Sequence, residues 1–338
     1  MFRTIQTFVR SLPALCLVLC CTFGSADDRN FGCRRDATDE FDPRQLHMQS
    51  GDEIWLISSR CIPTCGPVDL SRLDCFRWCG LSFTSDEYRA LVAEHREPSD
   101  KRTVIFLHGN RTNFEWAATR GLQVFNGVFG SDLNRPPVRF VIWSWPADPQ
   151  RRRAKEYKQN SQRSVWEANA LAEFIGELGN DSPIGLVGFS FGAQTTLLAA
   201  EQACSRGAAD GTGQFKFRIC CLAPALQKPW SQVADPFSAC AGCVTQSLQM
   251  TSSVDRALRA HHFLSQFMGG SYASWTSVDE QELAQASQHD KIAVDDLVGR
   301  QHKVVSYVTQ PFITSLIRAT VFDECLPVNA TPAPGPSH

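Results

Sequence analysis

PIGLVGFSFGAQTTLLAA, running from Pro183 to Ala200, is the stretch whose reading decides the fold. An apolar, strand-like run reaches Gly188-Phe189-Ser190-Phe191-Gly192, and a small-residue helical pattern follows at once. A G-x-S-x-G element between a strand and a helix is a sharp turn that lifts the serine hydroxyl clear of a sheet. Gly188 and Gly192 are required there because the helix folds back on the strand too closely to leave room for Cβ atoms. The start of the helix brings N–H groups without intrahelical acceptors, and a positive dipole end, beside the serine. Ser190 accordingly reads as a nucleophile.

Upstream, Glu53 to Arg60 and Phe76 to Phe83 read as the first two strands, and Val104 to Leu107 is a β-rich apolar run, the pattern of a strand buried on both faces, that ends in His108-Gly109-Asn110-Arg111. A fourth strand is expected in VRFVIWSWPAD, Val138 to Asp148, closed by Pro146, which cannot donate to a ladder. Of Trp143 and Trp145, at least one is expected in the core, and the other is a candidate for the rim of a site. Between this strand and the turn lies SVWEANALAEFIGEL. Ser164 and Glu167 have the spacing of a capping box, which predicts a helix starting there. Leu171, Phe174, Ile175 and Leu178 form one apolar stripe, and Gly179-Asn180 ends it. Strand, helix and strand in this order predict a parallel α/β sheet.

On these motifs the chain, from about Asp52 to Thr320, resembles the α/β-hydrolase superfamily. More narrowly it resembles a bacterial branch of serine esterases with an H-G-Y-N loop and an S-W-P strand end. The second motif is intact at Ser144-Trp145-Pro146, whereas the first reads His108-Gly109-Asn110-Arg111 and lacks the aromatic residue. The resemblance implies an α/β fold with a mostly parallel eight-stranded sheet flanked by helices, and a small lid-like insertion. It also implies an oxyanion hole built from the backbone N–H groups of Asn110 and Phe191, with His108 bracing that loop.

In this superfamily the acid and then the base follow the serine in the chain. Phe217 to Leu226 reads as strand six, and Val244 to Leu258 as strand seven running into a polar turn at Thr251-Ser252-Ser253. The resemblance places the acid at Asp255; Asp235, after strand six, is the alternative position. Strand eight is expected at Lys291 to Leu297, and His302 on the loop beyond it is the implied base. His261 and His262 follow the acid too soon, and His289 precedes the strand.

A net charge of −2 offers no electrostatic case for nucleic acid. With 43% hydrophobic residues, 338 residues suffice for a sizeable core. The expected organisation is a signal peptide over 1–26, an irregular segment over 27–51, the hydrolase domain over 52–322 and a disordered proline-rich tail over 323–338. Arg3 and Arg10 before a short apolar run, then Gly24-Ser25-Ala26, support export to the periplasm, envelope or medium, with a lipoprotein leader at Cys20 or Cys21 as the alternative. In an exported chain Cys61, Cys65, Cys75 and Cys79 read as disulfide partners in preference to a zinc site, Cys220 and Cys221 as buried thiols, and Cys240-x-x-Cys243 as a loop without redox context. No metal or organic cofactor is expected. The expected substrate is a small-molecule or lipid ester, and contact with a membrane surface or the envelope stays open. The competing reading is a non-catalytic binding or envelope protein on the same scaffold.

Overall fold

The computed structural model describes residues 41–97, 99–151, 153–179, 182–210, 215–227, 243–260, 272–274 and 289–322. The expected leader, the proline-rich tail, Asp235, Cys240, His261, His262 and nearly all of the lid-like insertion lie outside these residues. Among the described residues, no helix is long and apolar enough to cross a membrane.

The strands are β1 (Glu53–Ser58), β2 (Asp74–Trp78), β3 (Phe83–Asp86), β4 (Arg102–Leu107), β5 (Val138–Ser144), β6 (Ile184–Phe189), β7 (Phe217–Leu222), β8 (Ala225–Gln227), β9 (Val244–Thr251), β10 (Tyr272–Ser274) and β11 (His289–Ala293). Nine of them form one sheet in the order β11-β9-β7-β6-β4-β5-β1-β2-β3. All neighbours from β11 to β1 run parallel, while β2 is antiparallel to both β1 and β3. β8 and β10 make a separate antiparallel pair. The helices are α1 (Tyr88–Arg96), α2 (Phe114–Phe129), α3 (Arg153–Leu178), α4 (Phe191–Asp210), α5 (Asp295–Val298), α6 (Val304–Val308) and α7 (Pro311–Phe322).

β1, β4, β5, β6 and β7 carry almost nothing but buried residues, as strands covered on both faces must. β5 shows how both faces are filled. Ile142 lies so close to Gly121 of α2 that a Cβ there would meet its side chain at 2.3 Å. Trp143 points the other way and packs on Phe174 of α3 at 5.3 Å. Phe140, on the α2 face, meets Phe125 and Phe129, and Phe129 in turn meets Phe322 of α7. α4 joins α3 through hydrogen bonds from Thr195 Oγ1 to Ser164 O and from Gln194 Nε2 to Ser164 Oγ. One of the largest fully buried side chains in this core is Trp145.

Four expectations need correction. Phe76 to Phe83 is not one strand: β2 ends at Trp78, Gly80 turns with φ +88, and β3 begins at Phe83, giving nine strands in place of eight. The last strand is His289–Ala293, beginning two residues and ending four residues before the expected bounds, and Asp295–Val298 is helical. Ser164 and Glu167 do not cap a helix, because α3 starts at Arg153. Glu167 is instead buried and accepts from Trp143 Nε1 at 3.0 Å, with Arg163 beside it. The S-x-x-E spacing thus serves contacts between elements, which local pattern does not distinguish from a cap.

The fourth correction concerns cysteines. Cys61, Cys65, Cys75 and Cys79 are free thiols, and Cys204 of α4 is bonded to Cys243, the residue just before β9. The partners are 39 residues apart in sequence, brought together because β9 pairs with β7. Cys220 and Cys221 are buried free thiols, and burial pushes the Cys221 thiol up to about 12.

Candidate active site

From β4 the chain moves outward to β5 and then returns across β4 to β6. Ligands in open α/β sheets bind outside the carboxyl ends of the strands, where the order reverses in this way. The loop after β4 and the turn after β6 meet at that point. Ser190 follows β6 directly and has φ +56, a left-handed conformation that non-glycine residues rarely adopt. The fit around it is tight. A Cβ on Gly188 would lie 2.5 Å from Ala193 Cα, and one on Gly192 would lie 2.3 Å from Leu107 O. A Cβ on Gly109 would approach the Ser190 Cβ to 2.9 Å, so loop and turn touch.

His302 lies on the loop between α5 and α6, and its Nε2 is 2.9 Å from Ser190 Oγ. Its Nδ1 is 2.7 Å from Asp255 Oδ2. A carboxylate only accepts, so Nδ1 carries the proton and Nε2 is left to accept from the serine hydroxyl. Phe189 packs against the imidazole with ring centres 4.9 Å apart. Asp255 is fully buried, and its Oδ1 accepts from the backbone N–H groups of Ala257 and Leu258 at 2.8 and 3.1 Å.

The turn that carries Asp255 is held by a residue the sequence reading did not single out. Asp295, opening α5, accepts from Ser253 N, Ser253 Oγ and Val254 N at 2.8, 2.6 and 3.2 Å. Burial works to raise the Asp295 pKa, but these hydrogen bonds outweigh it and hold the carboxyl below its usual value. Ser252 Oγ also donates to Gly299 O, so the acid turn and the histidine loop are tied together.

His108 is buried and stacked on Trp145, with ring centres 5.5 Å apart. Trp145 N donates to its Nε2 at 3.2 Å, Trp145 Nε1 donates to His108 O at 2.9 Å, and Nδ1 is 2.9 Å from Gly109 O. Burial is the main cause that drives its pKa down to about 3, so the ring is neutral and braces the loop as expected. Neither tryptophan of the strand end is exposed, and the one that serves the site does so from the core.

This neutral imidazole makes stability depend on pH. With a folded value of about 3 against about 6.5 unfolded, the unfolded chain binds the extra proton between those values. His108 therefore costs no stability above about pH 6.5, and stability falls as the pH drops below it, by about 2–3 kcal/mol at pH 4.5. The urea midpoint of His108→Gln should fall less steeply between pH 7 and pH 4.5 than that of the wild type. Equal slopes would dismiss His108 as the source.

Ser190, Asp255 and His302 are thus brought together, with the Asn110 and Phe191 backbone at the same strand ends. His289 begins β11, at the opposite end of the sheet from these residues. Glu156 of α3, which accepts from Asn110 Nδ2, is another neighbour missed by sequence reading, since one glutamate in a charged helical stretch carries no local signal.

The family described as "Alpha/beta hydrolase of unknown function (DUF900)" matches residues 84–302 of the chain. No curated protein matches it. Among solved structures, the "putative cell surface hydrolase from Lactobacillus plantarum WCFS1" is similar at 11% identity and a TM-score of 0.39. The match covers 68% of this chain and 95% of that one.

Proposed function

Since the chain belongs to the alpha/beta hydrolases of unknown function and has their fold, we propose that it is an exported serine hydrolase that cleaves a carboxylic ester. The observation that carries this reading is the unbroken hydrogen-bonded line Ser190–His302–Asp255 at the reversal of strand order. The Ser190 oxygen attacks the ester carbonyl carbon while its proton passes to His302 Nε2. The carbonyl oxygen becomes an oxyanion, which accepts hydrogen bonds from the backbone N–H groups of Asn110 and Phe191. A donor of this kind stabilises the transition state by about 2.7–4 kcal/mol. Collapse of the tetrahedral intermediate breaks the bond to the alcohol, which leaves with the proton from His302. Water then attacks the acyl-serine, with His302 again taking the proton and returning it to Ser190. Asp255 holds the imidazole in the tautomer both halves need and stabilises the imidazolium. The overall change consumes one water and needs no oxidant or reductant.

Export is proposed on the Cys204–Cys243 disulfide, a bond that persists in oxidising compartments, together with the signal-like start of the chain. The test is labelling of the purified protein by a fluorophosphonate, followed by p-nitrophenyl esters of graded acyl length. One covalent adduct at Ser190 and a chain-length optimum are expected. A folded protein that neither labels nor turns over any ester would favour a binding role.

A further inference from the structure

Arg111, next to the proposed oxyanion donor, also has a left-handed backbone, with φ +58. Glycine enters this region freely and asparagine or aspartate readily, whereas a long side chain does so only when its surroundings compel it. Here the compulsion is visible. Glu156, in the first turn of α3 and 1% exposed, receives Arg111 Nη1 on both carboxylate oxygens at 3.1 and 2.8 Å. The same carboxylate accepts from Gln150 N at 2.6 Å and from Asn110 Nδ2 at 3.5 Å. Asn110 Oδ1 in turn accepts from Asn160 Nδ2, also on α3, and from Arg111 N, at 2.6 and 2.9 Å. The loop after β4 is therefore fastened to α3 and to the segment leading into it, with Glu156 as the common acceptor.

We propose that Glu156 is a positioning residue for the oxyanion hole, holding Arg111 in its left-handed conformation so that the Asn110 amide stays aimed at the substrate oxygen. This rests on the role proposed for Asn110 above. Glu156 touches neither substrate nor reacting atoms. A displaced donor fails only where charge develops, so its loss falls on kcat and leaves substrate affinity almost alone. Misplacement by about 1 Å can cost on the order of 10²-fold in rate.

The experiment compares wild type, Glu156→Gln and the double variant Glu156→Gln/Arg111→Gly on the best p-nitrophenyl ester. Glu156→Gln should lose about 10- to 100-fold in kcat with KM changed less than about 3-fold, and the acid limb of its pH–rate profile should not move. Glycine adopts a positive φ without a clamp, so the double variant should recover most of that loss. A Glu156→Gln kcat within about 3-fold of wild type, or a double variant as slow as the single, would overturn the proposal. Should Glu156→Gln not fold, Arg111→Ala and Arg111→Gly both lose the ion pair and differ only in tolerance of positive φ. Alanine should then be at least about 10-fold slower in kcat, and equal rates would be fatal. Failure of the hydrolase reading shows separately, in the wild type, as no turnover that depends on Ser190. A crystal structure of Glu156→Gln reads the clamp without any turnover: residue 111 should leave the left-handed region, and an unchanged φ would overturn it.

Discussion

Ser190→Ala should fold as the wild type does, lose fluorophosphonate labelling and lose about 10⁶-fold in kcat, and His302→Ala should lose about as much. The two losses are expected to be similar and not additive, because attack and proton transfer are one event: without the imidazole the hydroxyl keeps its proton, and without the hydroxyl the imidazole has none to take. Both changes remove atoms that meet at 2.9 Å, on a serine that is 6% exposed and a histidine whose side chain is 20% exposed. Ser190→Ala removes a single oxygen, so its thermal unfolding should hardly change, whereas His302→Ala leaves the buried Asp255 carboxylate without its partner and should unfold at a lower temperature. His289→Ala, altered at the far end of β11, should keep its rate. Near-normal turnover by folded Ser190→Ala would remove this serine as nucleophile, and the same from His302→Ala would send the search for the base elsewhere.

Asp255→Asn should lower kcat by up to about 10⁴-fold with the fold intact. The amide oxygen of the new side chain would keep the bonds from Ala257 N and Leu258 N, which hold residue 255 in place now. Its NH2 group would then face His302 Nδ1 and force that nitrogen to accept. The ring proton would move to Nε2, the atom that must receive the serine proton, and the base would be blocked by its own tautomer. A purely structural aspartate would show the opposite pattern, a loss of stability with the rate of the folded fraction preserved. Asp235→Asn, at the alternative position after strand six, should be nearly neutral. A dead Asp235→Asn beside an active Asp255→Asn would move the acid to that loop.

Much of this was legible in the sequence because it is local. A serine forced to φ +56 between two glycines, with a strand before and a helix after, is a matter of steric contacts within a few residues. The apolar runs of β4, β5, β6 and β7 announce burial on both faces. Asp255 and His302 were reached less directly, through the order of the motifs along the chain. His302 lies 112 residues beyond Ser190, and nothing in periodicity measures a distance across such a span.

The chain by itself determined the turn at Ser190, the parallel strands around it and the loops on which an acid and a base would stand. Tertiary structure alone decided how those loops meet. It decided that α3 begins at Arg153, that Cys204 finds Cys243 while the four clustered cysteines are left unbonded, and that Glu156 and Asp295 fasten the loops carrying Arg111 and Asp255. The physical reason is range. Steric exclusion, capping and hydrophobic period act over a turn or two of chain and leave their mark in neighbouring letters. A buried carboxylate or a thiol is given its partner by the packing of elements far apart in sequence, and any one of several acidic or sulfur-bearing residues would satisfy the local pattern equally well.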